Sequence, residues 1–151
     1  MEKPAPDDIV NLLLRDHEML DRRFREFDTS DRALWAQIFD QLRDELQRHE
    51  KAEETVLYPA LRAIPGGAVI ADARLAEQQE AAHMLDHLDT LDADTADFTA
   101  ALIEMRNAVI AHAKREEREA FPFLEGAESG ERLMDLGAAY RQAKERAVVT
   151  R

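Results

Sequence analysis

Apolar residues recur at intervals of three and four along nearly the whole chain, and strand-like alternation is absent, so the sequence predicts helices throughout. Clusters of Pro, Gly, Asp and Ser cut this pattern into pieces. The first helix is expected over about residues 7–27, with Ile9, Leu13, Leu20, Phe24 and Phe27 on one stripe. A second, entered through Thr29-Ser30-Asp31, turns Leu34, Ile38, Leu42, Leu46 and Val56 inward and ends at Pro65-Gly66-Gly67. A third begins between Ala68 and Arg74, where the periodicity is weak, and continues through Leu91. A fourth covers about residues 95–124, with Phe98, Leu102, Met105 and Val109 in its row and Pro122 loosening its end. A shorter fifth, about residues 129–148, bears Leu133, Leu136 and Tyr140 and is expected on the outside. Four long amphipathic helices joined by short turns imply an all-α fold. The expected arrangement is an antiparallel up-down-up-down four-helix bundle with a short additional C-terminal helix, in one domain spanning residues 1–151.

The oily rows contain polar residues that do not belong in a plain core. His17 falls in the first stripe, His49 and Glu53 in the second, His83 and His87 on the third helix, and His112 and Glu116 in the fourth. In an up-down-up-down bundle, depths counted at about 1.5 Å per residue place them within a slab roughly 10 Å thick, His87 one turn beyond His83. Taken singly each feature is ordinary. A lone inward histidine is usually a hydrogen-bonded core residue, and an HxxxE pair is commonly a solvated contact. Arg115, Glu117, Arg118 and Glu119 read as a solvated face, and Trp35, Tyr58 and Phe121 as core or boundary aromatics. The joint arrangement is not ordinary, because all five histidines of the protein map to inward rows of four helices. Burying them without partners would cost several kcal/mol each, about the desolvation of unpaired polar groups, and a cation removes that cost.

Composition narrows what the cation site is for. With 151 residues and 45% apolar content the chain can build a sizeable core. No cysteine is present, so any metal must be held by nitrogen and oxygen, which suits iron, manganese or zinc. The formal net charge of -12 opposes phosphate backbones and speaks against a nucleic-acid partner. The first residues lack the apolar core of a secretory signal, and no run of about 18 apolar residues occurs, so no membrane partner and a cytoplasmic location are expected.

The segments LLLRDHEML, RHEKAEETVLYPAL, EAAHMLDHL and AHAKREEREAFPFL, in that order, resemble the four helix signatures of the hemerythrin-like, or HHE cation-binding, family over about residues 8–124. The resemblance implies a four-helix bundle holding two iron ions, a non-haem di-iron centre bridged by carboxylates and an oxo or hydroxo group. It implies ligation by His17, His49, Glu53, His83, His112 and Glu116, with His87 added by likeness to the oxygen-carrying branch. That branch places the last carboxylate five residues after its histidine, which would select Glu117, whereas helical geometry prefers Glu116. Asp16, Glu80 and Asp86 are candidates to accept from the ligand imidazoles. The expected function is binding of a small ligand, dioxygen, nitric oxide or peroxide, for oxygen binding or stress defence. Catalase-like or nitric-oxide-reducing turnover and an iron- or oxygen-sensing module are the alternatives. If His87 is not a ligand, an extra open position favours turnover over reversible carriage.

Overall fold

The carboxylate of Asp8 accepts from the Asn11 N–H at 2.9 Å and so starts α1 (Ile9–Thr29). Thr95 and Ser129 do the same for α5 (Ala96–Arg115) and α7 (Gly130–Arg146), each hydroxyl accepting from the N–H three residues on. Between them the computed structural model, which describes residues 7–148, contains α2 (Trp35–Ala52), α3 (Tyr58–Arg62), α4 (Gly67–Asp89) and α6 (Phe121–Ala127). All regular structure among the described residues is helical. A 3-10 turn, Arg32–Leu34, precedes α2 and leaves Leu34, expected in the inner row, 46% exposed. No helix among the described residues is long and apolar enough to cross a membrane.

Two π turns join the pieces into longer rods. Glu53–Leu57 links α2 to α3, and Glu116–Ala120 links α5 to α6. Each lies just before a proline, Pro59 or Pro122, which has no N–H to donate and whose ring clashes with the carbonyl four residues back. The widened turn resolves the clash: the N–H of Tyr58 reaches the Glu53 carbonyl, and that of Phe121 the Glu116 carbonyl, five residues back. Pro122 therefore does not loosen a helix end as the sequence pattern suggested, because the rod continues to Ala127. Glu53, Tyr58, Glu116 and Phe121 at the ends of these turns are all buried, with the Tyr58 hydroxyl on Glu116 and the Phe121 ring stacked on His17.

The core is divided in two. One cluster gathers Ile9, Leu13, Leu57, Leu61, Phe121 and Leu124, with Leu133 and Tyr140 of α7 joined to it. The other gathers Phe24, Phe27, Leu42, Leu85, Phe98 and Met105. At about 1.5–3 kcal/mol for each fully buried large side chain, these clusters hold the fold. Helices α4 and α5 lie side by side, as do α1 and α2, an arrangement consistent with a four-helix bundle. The fifth long helix, α7, lies against α1 and α2 and comes close enough that a Cβ on Gly137 would sit 2.2 Å from the Asp7 carbonyl. Gly66, at φ 84°, makes the left-handed turn that starts α4.

Candidate metal centre

A polar layer separates the two apolar clusters. It is built from His17 of α1, His49 of α2, Glu53 and Glu116 at the first positions of the two π turns, Gln78 of α4 and His112 of α5. Glu53 and Glu116 are 0% exposed. Ligand atoms of His17, His49, Glu53 and Glu116 all lie within 4.8 Å of one another. His17 Nε2 is 3.2 Å from Glu116 Oε1, His49 Nε2 is 3.2 Å from Glu53 Oε1, and His112 Nε2 is 3.5 Å from Glu116 Oε2. The Gln78 side-chain amide donates to Glu53, and the Tyr58 hydroxyl donates to Glu116 at 2.9 Å.

Every imidazole is anchored by its outer nitrogen. His17 Nδ1 donates to Glu117 at 2.7 Å, and His112 Nδ1 to Glu77 at 2.9 Å. His49 Nδ1 lies 3.1 Å from Asp16 and 2.8 Å from the Tyr140 hydroxyl, which itself donates to Asp16. Lys144 completes this group at 2.8 Å from Asp16. Carboxylate on Nδ1 and an inward Nε2 is the arrangement that orients an imidazole toward a metal and raises its basicity.

The charges inside are strongly coupled. Burial opposes charge on His17 and His112, but Glu116 with Glu117 for the first, and Glu116 with Glu53 and Glu77 for the second, outweigh it and raise each to about 9. Burial and the neighbouring Glu116 push the Glu53 carboxyl well above the usual range. Burial works against Glu116 too, yet His112 and His17 hold it well below. Asp16 is likewise held low against burial by His49, Lys144 and Tyr140. These shifts favour protons on His17, His112 and Glu53 when no cation is bound, and such protons compete with a metal.

The expected residues divide sharply. His17, His49, Glu53, His112 and Glu116 are brought together, whereas His83 and His87 are exposed on the far side of α4 and do not reach the centre. The buried row of α4 is Ala71, Arg74, Gln78, Ala81, Leu85 and Leu88, and residues 83 and 87 fall between its members. Gln78 occupies the inward position where the histidines were expected. Glu80 and Asp86 are exposed and away from the imidazoles, while Asp16 does bond to one. Glu117 orients His17 and leaves the inner carboxylate position to Glu116. Tyr58, expected as a core aromatic, is part of the site, as are Tyr140 and Lys144 of a helix expected only to cover the outside. The three-four spacing of Gln78, Ala81, Leu85 and Leu88 is the signal that locates Gln78; nothing local in the sequence aims Tyr140 at His49.

The hemerythrin HHE cation-binding domain model matches residues 8–124. The chain belongs to this family. An uncharacterized hemerythrin-like protein of Schizosaccharomyces pombe is 28% identical over 144 residues, which cover 90% of this chain and 68% of that protein. A DNA nickase of Nostoc is 25% identical over 137 residues, covering 90% of this chain but only 39% of the nickase. No solved structure matches the chain significantly.

The donors fit the cation that the family name implies. Glu53 Oε2 and Gln78 Oε1 are buried atoms without a hydrogen-bond partner, and His17 Nε2 and Glu116 Oε1 in the same polar layer make no hydrogen bond beyond their mutual 3.2 Å ion-pair contact. Orphaned buried acceptors are rare and costly, so two of them in a layer of three imidazoles and two fully buried carboxylates point to a metal-binding domain. Beside them is a cavity of about 20 Å³, walled by Leu20, Leu46, Ala81 and Val109 and floored by the three imidazoles, with room for a molecule about the size of water.

Proposed function

We propose that the centre holds two iron ions in non-haem fashion, and that His17, His49, Glu53, His112 and Glu116 would be the residues that hold them. Gln78 faces the same space and takes the place of the α4 histidine. The rods run up-down-up-down in this reading, which the Asp28–Arg106 and Arg43–Asp89 ion pairs between neighbouring rods support. When bound, the iron pair supplies Lewis acidity and redox electrons to a small oxygen- or nitrogen-containing ligand. The small cavity beside the imidazoles, walled in part by Leu20, Leu46, Ala81 and Val109, is where such a ligand would enter, while the Tyr58 hydroxyl, hydrogen-bonded to Glu116, holds a proton at the edge of the centre.

The observation that carries this reading is the convergence of three imidazoles and two fully buried carboxylates, one of them with an unpartnered oxygen, next to a small cavity. The outward placement of His83 and His87 favours one use of the site over another. Three imidazoles and two carboxylates offer at most seven donor atoms against the roughly twelve positions of two six-coordinate ions, which would leave several for exchangeable ligands. We therefore favour ligand exchange and turnover of peroxide or nitric oxide over reversible oxygen carriage. The DNA-directed activity in the Nostoc protein's name is not part of this reading, since the chain covers a minor part of that protein and its net charge of -12 repels phosphate backbones.

Metal content of protein purified without chelator, combined with near-ultraviolet absorption of a ferric pair, tests the centre. About two irons per chain support it; none, even after anaerobic ferrous loading, would overturn it. Dioxygen release on adding peroxide to the ferrous protein then separates peroxide turnover from simple binding.

A further inference from the structure

A largely buried acidic side chain without a hydrogen-bond partner stands between the cavity and the surface. Glu50, on α2, is 9% exposed, and its carboxyl group has no hydrogen-bond or ion-pair partner among the described residues. It lines the inner cavity beside His49, Gln78 and His112. It also lines a surface groove of about 240 Å³ where α2 and its π turn meet α4, bordered by the exposed carboxylates of Glu54 and Asp86, which outnumber the single cation, Lys51, on its rim. Among the described residues no other borders both spaces.

Resting on the reading of the core as a metal centre, we propose that a divalent cation, ferrous iron, reaches the centre through this groove, and that Glu50 is the transit ligand that passes it inward. A cation cannot cross an apolar wall bare, because losing its hydration without replacement ligands is prohibitive. Successive oxygen donors remove that barrier. Glu54 and Asp86 meet the ion at the surface, and Glu50 carries it across the single layer of side chain to the imidazoles. Because no bond fixes the Glu50 carboxyl, rotation about its own side-chain bonds opens the way and no helix has to move.

A second groove, about 450 Å³, reaches His17 between α1 and α5 and holds Glu18 and Asp21. It is the poorer route. His17 is tied to Glu117 at 2.7 Å, so passage there breaks a bond that orients a ligand.

Stopped-flow loading of metal-free protein with ferrous iron under argon, followed by metal analysis of the desalted product, tests the route. Glu50→Leu is expected to slow loading by about ten-fold or more, and Glu54→Gln with Asp86→Asn to slow it severalfold in a salt-dependent way. Final metal content stays at the wild-type value in both. Glu50→Gln, which keeps size and shape, guards against a folding artefact and should also load slowly. Wild-type rates in the Glu50 variants would overturn the proposal. So would slowing by Glu18→Gln with Asp21→Asn instead, or a lower final metal content in Glu50→Gln, which would make Glu50 a resident ligand. If the wild-type protein takes up no metal, the metal-centre reading itself fails, an outcome distinct from all of these.

Discussion

His49 and His83 look alike in the chain: each sits on a helix, with a carboxylate three or four residues away and leucines close by. In the fold they have opposite fates. His49 is 4% exposed, held by Asp16 and Tyr140 and turned toward Glu53, whereas His83 stands in solvent on the outer face of α4. What separates them is the phase of the surrounding apolar row. On α2 the row Leu42, Leu46, His49 and Glu53 advances by three and four and includes the histidine. On α4 the row Gln78, Ala81, Leu85 and Leu88 advances the same way and passes His83 and His87 by. A residue's chemistry qualifies it as a ligand, but its neighbours decide whether it faces inward.

That contrast is open to direct attack. The largest effect is expected from His49→Ala, which should remove most of the bound metal, whereas His83→Ala with His87→Ala should leave metal content unchanged. Metal loss in the α4 double variant would void the contrast. Stripping the metal from the wild-type protein should lower Tm on the order of 10 °C, since a ligand at a thousand times its Kd stabilises the fold by about 4 kcal/mol. An unchanged melting curve would mean that the centre is not coupled to folding.

Tyr140→Phe sharpens the comparison at the outer end of His49. The hydroxyl bonds to a buried carboxylate, so its loss should cost about 1–3 kcal/mol in urea unfolding and weaken metal affinity by about 10–100-fold. A wild-type affinity would show that α7 has no hold on the centre. A pH series on metal-free protein probes the inner end. His17 and His112 are raised to about 9 in the fold, so their contribution is complete below about 6.5, their unfolded value, and is lost as pH rises through about 9. The metal-free Tm should therefore fall across that window, while metal affinity rises as protons cease to compete. The smallest effect is reserved for stability of the His83→Ala, His87→Ala protein, expected within about 0.5 kcal/mol of wild type because both rings are exposed.

Much of the architecture was legible from pattern. The helix boundaries marked by Thr95, Ser129 and the Pro65-Gly66-Gly67 stop agree with the observed caps and turn. The segments of the second and fourth rods pointed to His49, Glu53, His112 and Glu116, because large apolar residues on both sides of each pair mark its face. The third helix resisted the same treatment, since its inner row relies on alanines and a glutamine, whose small or polar side chains leave the phase weakly marked. The π turns were foreshadowed only by the Tyr-Pro and Phe-Pro pairs, which a simple periodic reading takes for a loosened end.

By itself, the chain determined an all-helical fold, a core stripe on most rods, and a supply of imidazole and carboxylate with no thiol. These follow from side-chain chemistry and short-range spacing, which are local quantities. The tertiary structure decided which donors meet: it turned Gln78 inward and His83 outward, brought Tyr140 from a distant helix to His49, and left Glu50 alone between cavity and groove. Those outcomes depend on the relative rotation of whole helices, which is set by the sum of many contacts and is written at no single position.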